Sequence, residues 1–346
     1  MVEQNKRIIS FDVMRVIAAF AVVFQHIGGQ SWPTIFPSTE WELRNFYVSF
    51  AQWSVPVFFM ISGALFLSPG KPLNIQRLFG KNLIRIVYAF LFWSIIYVAF
   101  IEGVSSLKIF LLSVLKGPAH FWFLKVMIGI YLFVPVLKSI VANQQAFRYL
   151  VIFCVVTAFV ISQFFEHVGM FNEQWMILMK DYYDGFGIAS LGFISYFVLG
   201  YYLYSSTFGK RVKCFIYLLG VVGLVCSAIG THYCSHYMGY TYGIFYDDSH
   251  PFVLMVAVAV FVYINNNCKD YSPSVRRAII NLSNCSLGIY LVHPLVMTIF
   301  NDYLSFNSST LNPIYFIPIF AIIVFFVSYV VVKVVSSIPF LRKTVM

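Results

Sequence analysis

Residues 9–29 read ISFDVMRVIAAFAVVFQHIGG, an apolar run broken only by the ionisable side chains Asp12, Arg15 and His26. About 20 apolar residues are what an α-helix needs to cross the hydrocarbon layer of a bilayer. A helix is also the form in which such a run satisfies its own backbone hydrogen bonds in lipid. The basic pair Lys6-Arg7 ahead of it resembles the start of a secretory leader. The run is nevertheless too long for a leader core, carries Asp12 and Arg15 within it, and offers no small-x-small cleavage site near Gly28. It therefore reads as a retained membrane helix, and that reading decides the fold.

Working outward, runs of the same kind recur at 50–68, 82–101, 121–137, 149–165, 189–206, 214–231, 251–266, 279–301 and 314–336. Breaker clusters separate them: Pro33 and Pro37, Ser68-Pro69-Gly70, Gly117-Pro118, Asn265-Asn266-Asn267 and Asn307-Ser308-Ser309. The runs are continuous rather than alternating, which excludes a membrane β-barrel. The expected fold is an all-α polytopic integral membrane protein of about ten helices, forming one domain over 1–346. Composition agrees. Of 346 residues, 60% are apolar and 10% charged, and the mean hydropathy is +0.82, whereas soluble domains carry roughly 25% charged residues. About ten crossings leave only short connections, so no separate soluble domain is expected. The net charge of +10 is read as membrane topology and not as a nucleic-acid surface.

The sidedness of the charges supports the count. With the N-terminus in the cytoplasm, 17 basic residues fall in cytoplasmic segments and four in outer loops, Arg44, Lys108, Lys116 and Lys180. Acidic residues fall mainly outside. Such a bias in short loops is the positive-inside signature, and with an even number of crossings both termini are cytoplasmic. Six cysteines show neither CxxC pairing nor metal-ligand spacing and read as lone thiols.

Ionisable groups within membrane helices are costly and usually face a bundle interior or an aqueous cavity. The candidates are Asp12, Arg15, His26, His120, Lys125 and His293. Asp12 and Arg15 are neighbours three residues apart on one helical face. Arg15 and His26 are eleven residues apart, three turns with ~20° left over, so the three side chains form one stripe. The stripe rises about 16 Å at 1.5 Å per residue, from a guanidinium low in the bilayer to an imidazole near its outer face. His120 and His293 lie at similar outer depth, the latter followed by Pro294, which kinks a helix.

These residues carry a resemblance. The Asp12-x-x-Arg15 start with His26 eleven residues after the arginine resembles the first helix of the membrane acyltransferase-3 family. Ser54-Val55-Pro56-Val57-Phe58-Phe59-Met60-Ile61-Ser62-Gly63 is similar to that family's second helix, and Lys81-Asn82-Leu83-Ile84-Arg85 to the basic entry of its third. His120-Phe121-Trp122-Phe123-Leu124, with Tyr131 and Pro135, resembles the fourth, and Ser286-Leu287-Gly288-Ile289-Tyr290-Leu291-Val292-His293 the ninth. The resemblance runs from about residue 8 to 336, nearest to the branch of the enterobacterial-common-antigen O-acetyltransferase and the intercellular-adhesin modification proteins. The third-helix entry lacks the denser arginine cluster of many members.

The resemblance implies a multi-pass protein of the bacterial inner membrane. It implies transfer of an acyl group, commonly acetyl, from cytoplasmic acyl-CoA to a hydroxyl of a cell-envelope polysaccharide or lipid-linked sugar. His26 would be general base in a catalytic stripe with Asp12 and Arg15. Arg15, Lys81 and Arg85 would hold the polyanionic donor, acetyl-CoA. His120, Trp122, Lys125, Tyr290 and His293 would line the acceptor or stabilise the tetrahedral intermediate. No metal is expected, on the reading that the histidines lack ligand-type companions at i,i+3 or i,i+4. The competing reading is a secondary transporter exporting a glycan or lipid-linked sugar. Paired broken helices in two related halves are its signature, and the Gly and Pro breaks here do not recur at matched places. The oligomeric state is not legible.

Overall fold

The computed structural model describes residues 7–70, 73–103, 106–171, 174, 191–303 and 312–345, and among these residues there is no strand. Helix α1 is Ile9–Gly28. After it, the Ser38 side chain accepts a hydrogen bond from the Trp41 backbone N–H at 3.1 Å and so caps α2, Thr39–Ala51, which a short break at 52–53 separates from α3, Ser54–Phe66. Together α2 and α3 make one span, Thr39–Phe66. The second run, expected at 50–68, thus begins at Thr39. Glu40, Glu42, Arg44 and Asn45 hide that start from hydropathy, although the polarity of Arg44 and Asn45 is absorbed inside the protein. Arg44 is fully buried, ion-paired with Glu40 at 2.8 Å.

The remaining helices are α4, Ile75–Ile101; α5, Leu107–Lys116, a short helix in a segment expected as outer loop; α6, Ala119–Val141; and α7, Gln144–Phe164. They continue with α8, Leu191–Ser205; α9, Lys210–Met238; α10, Pro251–Asn267; α11, Pro273–Thr298; and α12, Pro313–Ser337. Among the described residues nine helical runs are long and apolar enough to cross a membrane. The 15-residue α8 is the described part of the expected span 189–206, whose first two residues lie outside the described set. The protein is an all-helical polytopic membrane protein of about ten spans. Helix α9 runs past its expected end at 231 to Met238.

Helix α1 sits centrally, packed on α2, α3, α10, α11 and α12. Its buried side chains include Phe11, Met14, Ala18, Val22 and Val23. The closest pairing elsewhere is α3 with α8, where a Cβ added at Gly63 would stand 1.7 Å from the Phe197 carbonyl oxygen and one at Gly200 would stand 2.1 Å from that of Met60. Small residues that let two backbones touch are how membrane helices gain contact without a hydrophobic driving force between them. At the outer end, Arg44 Nη1 donates to the carbonyls of Ile27, Gly28 and Gln30 at 3.2, 3.2 and 3.0 Å. The last turn of α1 leaves those acceptors orphaned, and a buried guanidinium from α2 satisfies them. This fixes the end of the helix that carries His26.

Candidate active site

The stripe on α1 has two ends that do different things. At the inner end Asp12 is 1% exposed and its carboxylate is fully engaged. It accepts from Arg7 Nε at 2.7 Å and Nη2 at 2.8 Å, and from Ser283 Oγ of α11 at 2.6 Å. The fork geometry of a guanidinium matches both carboxylate oxygens, and the bond to Asp12 raises the Arg7 pKa from its ordinary value. Arg15 Nη1 stands 3.7 Å from the same carboxylate. The expected Asp12–Arg15 neighbourhood is therefore real, but Arg7 is the principal partner of Asp12, and Arg15 reaches elsewhere.

Arg15 reaches into a cavity of about 490 Å³. On the side that the charge pattern makes cytoplasmic, its walls include Arg15, Asn82, Arg85, Tyr131, Asn284 and Arg342. Farther out they become apolar, with Val22, Val55, Phe58 and Phe123, and Tyr290 stands among them. The cavity thus joins a cationic mouth to an apolar neck. Lys81 is exposed and does not line it, although Asn82 and Arg85 beside it do.

The outer end is built from histidines. One helical turn beyond Val22, His26 Nδ1 lies 2.7 Å from His293 Nε2, with the two rings stacked at 4.8 Å. His293 is wholly buried and its Nδ1 lies 3.2 Å from the Ile289 carbonyl oxygen. A carbonyl only accepts, so His293 carries its proton on Nδ1 and presents a bare Nε2 lone pair. That lone pair accepts from His26 Nδ1–H. Neutral His26 then has its own lone pair on Nε2, which has no hydrogen-bond partner among the described residues.

His120 completes the group, its ring 6.1 Å from that of His293 and 6.0 Å from that of Tyr290. The Tyr290 hydroxyl donates to the His120 carbonyl. His120 Nε2 is buried without a partner.

Three residues expected to line the acceptor stand elsewhere. Lys125 is exposed and donates to the Lys116 carbonyl at 3.2 Å, an orphan acceptor at the end of α5. The inward face of α6 is Leu124, Met127 and Tyr131, and one residue of helical rotation takes Lys125 off it. His293 is sealed behind His26 and has no surface to offer a substrate. Trp122 packs on Phe193 at 4.9 Å and lies outside the cavity lining, where Phe123 stands instead.

Sequence reasoning missed Arg342, which lies beyond the last apolar run, and Asn284, which lies within the ninth run but carries no charge. It also passed over His232 and His236 of α9, spaced i,i+4, because they follow the expected end of that span. The structure sets both against Glu42 of α2: His232 Nδ1 is 2.8 Å from Glu42 Oε1, and His236 Nε2 is 3.0 Å from it. The expectation that the histidines lack i,i+4 companions is therefore wrong for this pair, whose ligand atoms and that of Glu42 lie within 4.8 Å of one another. All six cysteines are free thiols.

The sequence model of a family described as an acyltransferase domain matches residues 8–333. No curated protein and no solved structure matches the chain.

Proposed function

The chain belongs to that acyltransferase-domain family and is a membrane acyltransferase, and from this premise we propose that it moves an acyl group from cytoplasmic acyl-CoA to a hydroxyl of a cell-envelope polysaccharide or lipid-linked sugar. Acetyl-CoA is the proposed donor, and the bacterial inner membrane the proposed location. The observation that carries the reading is the relay Ile289 carbonyl–His293–His26, which presents a bare imidazole nitrogen one helical turn beyond Val22, the outermost α1 residue in the wall of a cavity whose inner mouth is cationic.

The roles follow from the geometry. Arg15, Arg85 and Arg342 surround the mouth with guanidinium groups, which pair with phosphate in a bidentate manner. The apolar neck at Val22, Phe58 and Phe123 suits a thin chain carrying a thioester. His26 Nε2 takes the proton of the acceptor hydroxyl, the usual role of a positioned imidazole in general-base catalysis. The freed oxygen bonds to the acyl carbon, the carbon–sulfur bond breaks, and the proton held on His26 passes to the departing sulfur. During that step His293 Nε2 continues to accept from His26 Nδ1–H, so the developing imidazolium stays oriented.

The test is transfer of label from radioactive acetyl-CoA to envelope glycan in membranes containing the protein, with His26→Ala beside the wild type. Label on the glycan with the wild type and none with the variant is the expected result. Equal labelling at equal amounts of inserted protein removes His26 from the reaction. Glycan crossing the membrane with no covalent change would mark the protein as a transporter.

A further inference from the structure

We infer that Glu42, His232 and His236 form a divalent transition-metal site of the zinc type on the outer face of the protein, distinct from the acyl-transfer cavity. One ligand atom from each of the three lies within 4.8 Å of the other two. Two imidazoles spaced i,i+4 on α9 present nitrogens from one helical face, and a carboxylate from a different helix, α2, meets both. Three such ligands with a fourth position left to water are a usual open zinc arrangement, with zinc–nitrogen bonds of about 2.0–2.1 Å. The edges of that tetrahedron are about 3.3 Å long. The two imidazole–carboxylate separations of 2.8 and 3.0 Å need a few tenths of an ångström of spreading, and the two imidazole nitrogens lie within 4.8 Å of each other.

The chemistry of the donors selects the ion. Imidazole nitrogen with one carboxylate suits zinc, copper, nickel or iron, whereas magnesium and calcium take oxygen sets. The side chains of His232, His236 and Glu42 are 38%, 43% and 38% exposed, so an ion reaches the site from the outer solution and water fills the remaining position. Without an ion, the imidazole protons face the carboxylate. On binding, His232 Nδ1 and His236 Nε2, the nitrogens that face Glu42, give up their protons and bond the metal. Aromatic rings steady one ligand, since Phe36 and Trp41 stand 5.1 and 6.0 Å from His236.

The position gives the ion a consequence. Helices α2 and α9 already meet through Asn45 Nδ2, which donates to the Ala228 carbonyl at 3.0 Å. A metal one turn farther out clips them a second time. Helix α2 also holds the end of α1 through Arg44, so the clip braces the helix that carries His26.

The experiment uses the full chain without an affinity tag, stripped with chelator in nanodiscs and titrated with Zn²⁺. One Zn²⁺ per chain, a rise in melting temperature on loading, and visible absorption bands of a four-coordinate ion with Co²⁺ are expected. His236→Ala and Glu42→Gln each weaken Zn²⁺ binding at least about tenfold, and His236→Asp, which restores a ligand, retains more of it than His236→Ala. Mg²⁺ at the same concentration leaves the melting temperature unchanged. Equal Zn²⁺ stoichiometry in wild type and in a His232→Ala/His236→Ala double variant overturns the site. So does a wild type that binds no Zn²⁺.

Discussion

His26 Nδ1 and His293 Nε2 lie 2.7 Å apart, and the second ring is buried behind the first, with its other nitrogen facing the Ile289 carbonyl. The backbone of α11 thereby determines which nitrogen of a histidine on α1 is basic, through one intervening ring. A carboxylate does the same for the catalytic histidine of serine proteases, where exchanging it for an amide costs about 10⁴ in kcat by imposing the wrong tautomer. His293 is a positioning residue in this scheme and His26 the group that meets substrate. His26→Ala should lower kcat about 10²–10⁴-fold, the usual contribution of a general base. His293→Phe should lower kcat with little change in KM for either substrate. His293→Gln, whose amide oxygen can still accept from His26 Nδ1–H, should recover part of that loss. Equal activity in the Phe and Gln variants would mean that the hydrogen bond does not orient His26.

The cationic mouth leads to a second expectation. Arg15 stands 3.7 Å from Asp12, whose short hydrogen bonds go to Arg7, and lies in the cavity wall with Arg85 and Arg342. Hydrogen bonds to a charged group contribute about 1.5–3 kcal/mol, or roughly tenfold to a hundredfold in affinity. Arg15→Ala should therefore raise the acyl-CoA KM by that order, and Arg85→Ala by less because Arg85 is exposed at the rim. Lys81→Ala, outside the lining, should leave KM unchanged. Steady-state kinetics with acyl-CoA varied at saturating acceptor checks all three, and an unchanged KM in Arg15→Ala assigns that arginine to structure alone.

The helical architecture was legible because lipid forces it: long apolar runs, breakers between them and the sidedness of lysine and arginine follow from the bilayer. The stripe on α1 was legible for a related reason, since a charge in such a run needs an internal partner. What stayed hidden depends on contacts between distant segments. The start of α2 at Thr39 was hidden because Arg44 and Asn45 look like loop residues until Ile27, Gly28, Gln30 and Ala228 supply the carbonyls they bind. Arg7 could not be paired with Asp12 from the pattern of α1, as it precedes the helix and folds back onto it. Lys125 illustrates the converse. Its charge lies inside an apolar run, yet rotation about α6 turns it to the end of α5.

Asp12 should behave as a structural residue first. Its carboxylate is 1% exposed, is absent from the cavity wall, and holds Arg7 and Ser283 together across α1 and α11. Asp12→Ala leaves a hydroxyl and a guanidinium without their acceptor, and truncating one member of such an arrangement costs about 1–3 kcal/mol. The expected result is a lower melting temperature and less inserted protein. The molecules that do fold should keep most of their kcat, because His26 and its relay are about four turns away. Thermal unfolding in detergent beside turnover normalised to folded protein separates these outcomes. A large loss of kcat with an unchanged melting temperature would instead place Asp12 in the chemistry.

The contact of α3 with α8 bears on the cavity from the opposite side. Ser62 and Phe58 on α3 line the cavity, and Gly63 beside them abuts the Phe197 carbonyl so closely that an added Cβ would stand 1.7 Å from it. The obstructing atom belongs to the backbone, so no rotamer change relieves the clash. Overpacking of this kind usually costs about 1–3 kcal/mol and occasionally more. Here the helices must separate, which would shift Phe58 and Ser62 with them. Gly63→Ala should therefore reduce both the amount of folded protein and acyl-CoA affinity, whereas Gly129→Ala, with no atom within 4 Å of the added Cβ, should change neither. Comparing the yield of monodisperse protein, its melting temperature and its KM for acyl-CoA across the two variants decides it. A Gly63→Ala protein indistinguishable from wild type would show that α3 and α8 do not meet backbone to backbone.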